Sequence, residues 1–223
     1  MKWVRDQGLT LAFTAIFLAS LVGQAFAGHA DFNNQAIAHN DDTMSFWRFV
    51  TSSAFWVDVT ENWQSEYLQF TLFVFATIWL VQRGSTESKP VGKPGRETDE
   101  EQKVGEHADA ASPKWAAAGG WRTRVYSNSL LLVMGAIWIG SWLAQAVTGR
   151  VEYNATQLDH TQDPLSLVQY LGSADFWNRT LQNWQSEFLA VGSMVILSVY
   201  LRQRGSSQSK PVGDAHTATG VEG

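Results

Sequence analysis

The segment Asn62-Trp63-Gln64-Ser65-Glu66 occurs twice in this 223-residue chain, the second time as Asn183-Trp184-Gln185-Ser186-Glu187. The same offset of 121 positions (183 minus 62) relates Gln82-Arg83-Gly84-Ser85 to Gln203-Arg204-Gly205-Ser206 without a gap. It also relates Ser88-Lys89-Pro90-Val91-Gly92 to Ser209-Lys210-Pro211-Val212-Gly213. Agreement at one constant offset over such a length is typical of an internal duplication. The sequence therefore predicts two copies of one structural unit.

Each copy contains two apolar segments. The first segments, residues 9–27 and 130–147, carry no charged residue. At about 1.5 Å per residue each covers most of a hydrocarbon core that is about 30 Å thick. The second segments, residues 67–81 and 188–201, are shorter than the roughly twenty residues a span needs, so we expect the preceding Asn-Trp-Gln-Ser-Glu segment to extend them. The sequence predicts an all-α integral membrane protein with four transmembrane helices.

The N-terminal segment also has the features of a secretory signal. Lys2 and Arg5 precede the apolar stretch, and Ala25-Phe26-Ala27 precedes Gly28 in the pattern of a cleavage site. The duplication favours a retained helix, because residues 9–27 align with residues in mid-chain, where a signal peptide is not expected. The alternative is a cleaved leader on a protein with three spans.

Lysine and arginine are distributed unequally between the two predicted sides of the membrane. Three of the sixteen, Arg48, Arg150 and Arg179, lie in the predicted outer segments, and the remaining thirteen lie on the other side. The positive-inside rule then places both termini and the middle of the chain in the cytoplasm. Two spans per copy preserve polarity, so the two hairpins should be tandem parallel repeats about a pseudo-twofold axis along the membrane normal.

These features predict four parts of the chain. Residues 1–92 and 121–213 are the first and second two-helix membrane repeats. Residues 93–120 are predicted as a flexible cytoplasmic linker, because they are rich in Gly, Pro, Glu and Lys and lack hydrophobic periodicity. Residues 214–223 are predicted as a disordered tail. Gly84 and Gly205 are predicted to end the second helix of each repeat as left-handed C-caps.

The outer segments, residues 29–65 and 150–186, are long for simple connections and predict short external interfacial helices. Asp42 and Asp163 are predicted as N-caps of short apolar helices over residues 44–51 and 165–171. Ser52 and Ser173 are predicted to cap a second helix in each copy that leads into the spanning helix, and the sequence leaves open whether a break precedes Asn62 and Asn183.

A candidate ion or polar site consists of Asn62 and Glu66 in the first copy and Asn183 and Glu187 in the second. A carboxylate inside a spanning helix is costly unless it faces the protein interior, water or a partner. Residues four positions apart share a helix face, and the pseudo-twofold would bring the two pairs together. The alternative is that they start helices at the membrane boundary, where acids favour the helix N-terminus and Asn, Gln and Trp suit the interface.

The duplicated cytoplasmic loop is a candidate contact motif, with Arg83, Lys89 and Pro90 in the first copy and Arg204, Lys210 and Pro211 in the second. Because loops tolerate change, two nearly identical loops indicate contact with a protein, a lipid headgroup or the inner face of the bundle. The alternatives are an arginine that snorkels beside a capped helix end, or a recent duplication.

The sequence contains little that indicates metal binding, cofactor binding or nucleic-acid binding. His39 and His160 are weak metal candidates, because imidazole and carboxylate bind divalent ions but the spacing matches no known site, and we predict no metal. The chain has no Cys, which excludes disulfides and thiolate chemistry. It has a net charge of −5 without a basic run, which argues against nucleic acid. No phosphate-binding loop or Ser/His/Asp pattern occurs, so we expect a non-enzymatic protein without a cofactor.

The paired Asn-Trp-Gln-Ser-Glu-(Tyr/Phe)-Leu and Gln-Arg-Gly-Ser-x-x-Ser-Lys-Pro-Val-Gly motifs resemble an uncharacterised family of bacterial membrane proteins, a domain of unknown function. The likeness covers both repeats and implies a four-span bundle in the bacterial plasma (inner) membrane, but no activity. We expect a membrane component that binds lipid or a protein partner. The alternatives are a small channel or transporter and, after it, an intramembrane enzyme.

Overall fold

The computed structural model describes residues 2–221, and in that range the chain forms helices and turns but no strand. A 3-10 helix covers Gly105–His107. The all-helical fold class predicted from the sequence is confirmed. The α-helices are, in chain order, α1 (Lys2–Asp6), α2 (Gly8–His39), α3 (Phe46–Val50), α4 (Ser53–Ala76), α5 (Lys114–Ala117), α6 (Gly120–Ser127), α7 (Ser129–Asp159), α8 (Leu167–Leu171) and α9 (Ala174–Tyr200).

Two described helices, α2 with 32 residues and α7 with 31, are long and apolar enough to cross a membrane by length and composition. They contain the predicted spans 9–27 and 130–147 and continue beyond them. On α2 the large side chains of Leu9, Phe13 and Ile16 are exposed. Contiguous exposed apolar surface of this kind indicates contact with lipid or another protein.

The order of helices recurs along the chain at the offset seen in the sequence. Helices α3 and α8 agree at both ends, because 46 plus 121 is 167 and 50 plus 121 is 171. Helices α4 and α9 agree at their start, because 53 plus 121 is 174. The same local sequence thus folds into the same local structure twice.

The chain divides into two compact units. The first comprises Met1–Thr60 and Ala144–Gly172, and the second comprises Glu61–Leu143 and Ser173–Gly223. Helices α4 and α7 each contribute residues to both units. The predicted division into two repeats, a linker and a tail stays a prediction.

In the first unit, short helices lie against glycines of the long ones. Phe49 of α3 is buried, and a Cβ atom added to Gly28 would lie 3.1 Å from its ring. Tyr170 of α8 is fully buried, and a Cβ atom added to Gly149 would lie 2.5 Å from its hydroxyl oxygen. The two glycines are 121 positions apart, and their missing side chains make room for the aromatic rings.

Two asparagines hold the connections that precede α3 and α8. Asn33 Oδ1 accepts a hydrogen bond of 2.7 Å from the Met44 amide, and its Nδ2 donates one of 3.0 Å to the Met44 carbonyl. Asn154 makes the same two bonds with Leu165, at 2.8 Å and 2.9 Å. Each side chain therefore satisfies both backbone groups of one loop residue and links the connection to the preceding long helix.

The predicted N-caps of the short helices are wrong. Ser45 and Ser166, and not Asp42 and Asp163, precede α3 and α8. Ser166 forms a capping box, in which its hydroxyl accepts from the Gln169 amide and the Gln169 side chain accepts from the Ser166 amide. A glutamine three residues after a serine favours this start over the aspartate upstream. Ser45 makes no such bond, since the residue three positions later is an arginine.

The predicted caps of the following helices are confirmed. Ser52 Oγ accepts from the Phe55 amide at 3.4 Å, and Ser173 Oγ accepts from the Phe176 amide at 3.2 Å. Helices α4 and α9 then run without a break through the Asn-Trp-Gln-Ser-Glu segments.

The end of α4 differs from the prediction. The helix ends at Ala76 and not at residue 81, and its last turn tightens, because the Ile78 amide donates to the Phe75 carbonyl, three residues back. Thr77 Oγ1 bonds to the Phe73 carbonyl at 3.0 Å and competes with the regular helix. The predicted C-caps are wrong as well. Gly84 and Gly205 have the expected positive φ, +87° and +83°, but they lie in turns beyond the helix ends.

The predicted linker, residues 93–120, contains turns, the 3-10 helix and α5. The predicted tail is described as far as residue 221, and the Gly220 amide donates to the Ser85 carbonyl at 3.0 Å. Residues 222 and 223 lie outside the described residues. The flexibility of the linker and the disorder of the tail stay predictions.

Candidate functional site

A cluster of polar side chains joins α4 to α9 in the second unit. Residues three and four positions apart on a helix fall on one face, so the polar residues near each repeated segment point the same way. We call this set the interhelical polar cluster. Its members are Glu61, Gln64 and Ser65 of α4 and Arg179, Asn183, Trp184 and Glu187 of α9.

Glu61 is bound by two side chains of α9. Arg179 Nη1 donates to its Oε2 at 3.1 Å, and Asn183 Nδ2 donates to its Oε1 at 2.7 Å. Arg179 Nε also lies 3.4 Å from Asp175 Oδ2, one turn earlier on α9. Both carboxylate oxygens of Glu61 are therefore bonded to α9, and Arg179 uses Nη1 for Glu61 and Nε for Asp175.

Among the remaining polar groups of the cluster, some have hydrogen-bond partners and one does not. Trp184 Nε1 donates to Gln64 Oε1 at 2.8 Å, and Ser65 Oγ donates to Glu187 Oε1 at 3.3 Å. Gln64 is fully buried, yet its Nε2 has no hydrogen-bond partner within residues 2–221. A buried amide donor without an acceptor is where a water molecule or another acceptor can bind.

Aromatic rings enclose one side of the cluster. Trp142 of α7 stacks on Phe176 with ring centroids 5.9 Å apart, and its centroid lies 6.0 Å from that of Trp184. Its Nε1 donates to Thr180 Oγ1 at 3.4 Å. The indole thus supplies apolar contact and also satisfies a buried hydroxyl.

The structure brings together part of the predicted Asn/Glu site. Asn183 and Glu187 belong to the cluster. Glu66 is close enough to Glu187 for their like charges to repel each other. Asn62 and Glu66 occupy exposed positions on α4. The acceptor for Asn183 is Glu61, which the duplicated motifs do not predict. The role of these residues as an ion site stays a prediction.

A family model described as a domain of unknown function, DUF6766, matches residues 1–221. The chain belongs to this family. No curated protein and no solved structure matches it. The resemblance to a family of unknown function is therefore confirmed, whereas the bacterial origin and the motifs stay predictions. Membership assigns no activity and no catalytic residue.

In this DUF6766 chain the duplicated motif at residues 82–92 and 203–213 folds into the same turn twice. Ser88 Oγ accepts from the Gln82 amide at 2.9 Å and donates to the Lys89 carbonyl at 3.0 Å. Ser209 Oγ accepts from the Gln203 amide at 2.9 Å and donates to the carbonyl of the following lysine at 3.1 Å. The repeated serine therefore has a role inside the loop.

The lysine of the second motif is buried among backbone carbonyls. Lys210 Nζ lies within hydrogen-bond distance of the carbonyl oxygens of Gly84 (2.6 Å), His216 (3.0 Å), Ala218 (3.2 Å) and Ala215 (3.4 Å), and its three N–H groups donate to three of these at a time. Burial lowers the pKa of the Lys210 amine, and the hydrogen bonds from its three N–H groups to these carbonyl oxygens offset part of the cost of burying the charge. This side chain ties the two motifs together and has almost no exposed surface.

The lysine of the first motif is held nearer to its own loop. Lys89 Nζ donates to the Gly95 carbonyl at 2.6 Å and forms an ion pair with Glu97. The hydrogen bond from Lys89 lowers the pKa of the Glu97 carboxyl. Pro90 and Pro211 are exposed.

The two arginines of the motif remain accessible. Arg83 and Arg204 are exposed, and neither guanidinium has a hydrogen bond or an ion pair with any described residue of the chain. The candidate contact motif therefore divides into lysines that bond within the chain and arginines that face outward.

The two histidines make only local contacts. His39 Nδ1 bonds to the Gln35 carbonyl and His160 Nδ1 to the Thr156 carbonyl, both at 2.8 Å and each four residues back. Among residues 2–221 no group of three His, Asp or Glu side chains could hold a metal ion. Both residues are exposed; His39 is the last residue of α2, and His160 directly follows the last residue of α7.

Glu61 and Arg179 are not repeated in the other copy, so the duplication does not point to them. The equivalent of Glu61 is Gln182, and the equivalent of Arg179 is Asp58. The ion pair is therefore asymmetric, and a search for duplicated residues passes over it. The signal that was present is Arg179 four residues before Asn183, a single basic residue on the polar face of the motif.

Proposed function

We propose that this protein is a multi-pass, non-enzymatic component of the bacterial plasma membrane that binds anionic lipid headgroups on the cytoplasmic side. The observation that carries the proposal is the pair of equivalent turns at Arg83 and Arg204. In each turn the lysine bonds within the chain, while the arginine is exposed and unpaired among residues 2–221.

The proposed topology has four spans in two parallel hairpins, with both termini in the cytoplasm. Helices α2 and α7 supply the first span of each hairpin. Helices α4 and α9, with 24 and 27 residues, supply the second, since at about 1.5 Å per residue either exceeds the thickness of the hydrocarbon core. The unequal distribution of lysine and arginine sets the orientation.

Topology reporters test this arrangement directly. Fusions of a periplasm-active phosphatase and of a cytoplasm-fluorescent protein after Gly105 and after Gly223 should both report the cytoplasm. Reports from opposite faces would overturn the paired hairpins. The mass of the intact purified protein tests the alternative of a cleaved leader, since a mature chain that begins at Gly28 would lack the first span.

In this topology Arg83 and Arg204 lie at the cytoplasmic end of the second span of each hairpin. A guanidinium binds phosphate through two parallel hydrogen bonds. Each basic residue near the anionic leaflet contributes about 1 kcal/mol of attraction. The two equivalent turns would therefore hold two headgroups on either side of the pseudo-twofold axis.

Lipid retention tests the binding. The protein is purified in mild detergent from vesicles of phosphatidylglycerol and phosphatidylcholine, and the retained lipids are quantified by mass spectrometry. The double variant Arg83→Gln, Arg204→Gln should retain less phosphatidylglycerol than the parent. The control Lys93→Gln, Arg96→Gln removes the same charge from the predicted linker and should retain the parent's amount. Equal loss in both variants would indicate net charge alone and contradict the proposed site.

A second candidate function, a small channel or transporter, is favoured by the interhelical polar cluster. The interacting charges of Glu66 and Glu187 and the unpaired Nε2 of Gln64 would suit a polar path. Proton or potassium flux into proteoliposomes should then occur with the parent and stop with Glu66→Gln, Glu187→Gln. Absence of flux in the parent would remove this candidate.

A further inference from the structure

The repeated helices α4 and α9 carry the same Gln-Ser-x-x-Leu face, and the structure buries one copy and exposes the other. On α4, Gln64 and Leu68 are 0% and 3% exposed. On α9, the equivalent Gln185 is exposed and Leu189 is 68% exposed. Because the residue types are identical, the difference arises from what covers each face.

The buried copy shows what kind of surface fits this face. Gln64 and Ser65 of α4 are covered by α9, through the bonds from Trp184 to Gln64 and from Ser65 to Glu187. The repeat equivalent of the bond between Ser65 and Glu187 would join Ser186 to Glu66. The structure leaves both of these residues at exposed positions.

The exposed face continues along α9 as an apolar groove. Its residues recur at intervals of three and four, as they do on one side of a helix. A Cβ atom added to Gly192 would meet nothing within 4 Å. Small residues such as Gly192 and Ser193 allow the backbones of two helices to approach closely within a membrane. The groove is lined by Phe188, Leu189, Gly192, Ser193, Ile196 and Leu197.

We propose that this open face of α9 is a self-association surface and that its occupant is a second copy of the same chain. A twofold axis between two chains would pair Ser186 of each copy with Glu66 of the other, which repeats between chains the bond already present within one. The groove below would then close by helix-to-helix packing. Dimerisation would also bury Gln185 and Ser186 against protein instead of lipid, which cannot form hydrogen bonds with their polar groups.

Charge and symmetry both favour this occupant. Glu66 is a carboxylate at an exposed position, and a hydroxyl donor from a second copy satisfies it without adding a charge. In one isologous contact, Ser186 of each copy pairs with Glu66 of the other. Both exposed residues are then used in both copies, so the assembly closes as a dimer. The inference depends on the proposed membrane location but not on lipid binding, which the retention experiment tests separately.

Cysteine crosslinking tests the surface, and the chain is suited to it because it contains no Cys. Single cysteines are placed at Leu189, Gly192, Ser193 and Ile196 in turn, and membranes are oxidised before separation on a non-reducing gel. A disulfide-linked dimer is expected at positions where the two helices approach. Ile16→Cys, on the exposed surface of α2, is the matched control and should stay monomeric. Monomers at all four positions, or equal dimer from Ile16→Cys, would overturn the proposal.

A second measurement uses glycines that can accept a side chain. Neither Gly192 nor Gly23 has any atom within 4 Å of an added Cβ, so Gly192→Leu and Gly23→Leu should both fold. Energy transfer between labelled copies in phosphatidylcholine vesicles then measures association. Gly192→Leu should weaken it about tenfold, because a bulky side chain fills the contact, whereas Gly23→Leu should not change it. Unchanged association of Gly192→Leu would contradict the surface.

Discussion

The Lys210 ammonium group donates a hydrogen bond of 2.6 Å to the carbonyl oxygen of Gly84, 126 positions earlier in the chain. Thr219 Oγ1 accepts from the Gly84 amide at 2.8 Å, so both backbone groups of this glycine are bonded to the C-terminal segment. The second motif and the residues after it are therefore bonded to the first motif. We call the two bonds that join Lys210 and Thr219 to Gly84 the clasp. The equivalent glycine, Gly205, has no atom within 4 Å of an added Cβ.

This asymmetry predicts different responses to the same substitution. Gly84→Ala and Gly205→Ala both place a side chain at positive φ, which costs about 1–2 kcal/mol. Only at Gly84 would the new Cβ also overlap the carbonyl oxygen of His216. Thermal unfolding in detergent should show the lower midpoint for Gly84→Ala. Equal midpoints for the two variants would mean that the clasp contributes nothing to stability.

The asparagine bonds to Met44 and Leu165 predict a loss of stability when either side chain is removed. Asn154→Ala leaves the Leu165 amide and carbonyl without their Asn154 partner, and Asn33→Ala does the same to the Met44 amide, at a cost of about 1–3 kcal/mol. The Met44 carbonyl keeps its contact with His29 Nε2 at 2.7 Å, so Asn33→Ala should cost less than Asn154→Ala. At about 2–4 °C per kcal/mol for a chain of this size, the midpoint of thermal unfolding should fall by several degrees. Asn34→Ala, at an exposed position, should leave the midpoint unchanged.

The two short helices should differ in their dependence on the N-cap serine. Ser166→Ala removes a capping box and should destabilise the protein by about 0.5–2 kcal/mol. Ser45→Ala removes a hydroxyl that makes no cap bond and should cost less. Hydrogen exchange of the Gln169 amide provides the local measurement. A similar loss from both variants would show that the capping box adds nothing.

The ion pair between Lys89 and Glu97 predicts a pH-dependent contribution to stability. The bond from Lys89 holds the pKa of Glu97 below its usual 4.5 in the folded protein. The folded state therefore binds fewer protons, and the contribution is fully present above pH 4.5 and is lost as the pH falls through the lowered value.

The variant Glu97→Gln tests this. It should unfold at a lower temperature than the parent at neutral pH, and the difference should shrink as the pH is lowered below 4.5. Glu100→Gln, nearby and exposed, should match the parent throughout. A difference between parent and Glu97→Gln that persists in acid would show that the effect is not the ion pair.

The sequence predicted the helical class, the two long apolar helices, the two short helices and the serine caps of α4 and α9. These features follow from local chemistry, namely uninterrupted apolar runs and hydroxyl groups placed before helical segments. The end of α4 and the identity of the N-caps at Ser45 and Ser166 were missed. At Ser166 the capping box prevails over the aspartate upstream, and near the end of α4 the Thr77 hydroxyl competes with the backbone for the Phe73 carbonyl. Ser45 precedes α3 without a side-chain cap bond, and hydrogen bonding does not explain its position.

The candidate site was predictable only in part, because the duplication indicates equivalent residues and the polar cluster is not symmetric. Asn183 and Glu187 were selected as members of a repeated motif. Their contacts, however, run to Glu61 and Ser65, and Arg179 has no counterpart of the same charge in the first copy. A contact between two helices that are far apart in the chain produces no periodic pattern in the sequence, so the sequence alone does not predict it.

The amino-acid sequence by itself determined that the same local structure would form twice, because equal residues at a constant offset make equal short-range bonds, as Asn33 and Asn154 do. Only the tertiary structure decided which copy of each feature is buried. Gln64 is buried and bonded to Trp184, whereas its equivalent Gln185 is exposed. Lys210 is buried and bonds to backbone carbonyls, whereas its equivalent Lys89 forms an ion pair with Glu97. The physical reason is that burial depends on the surface a side chain meets, and identical segments meet different neighbours within one folded chain.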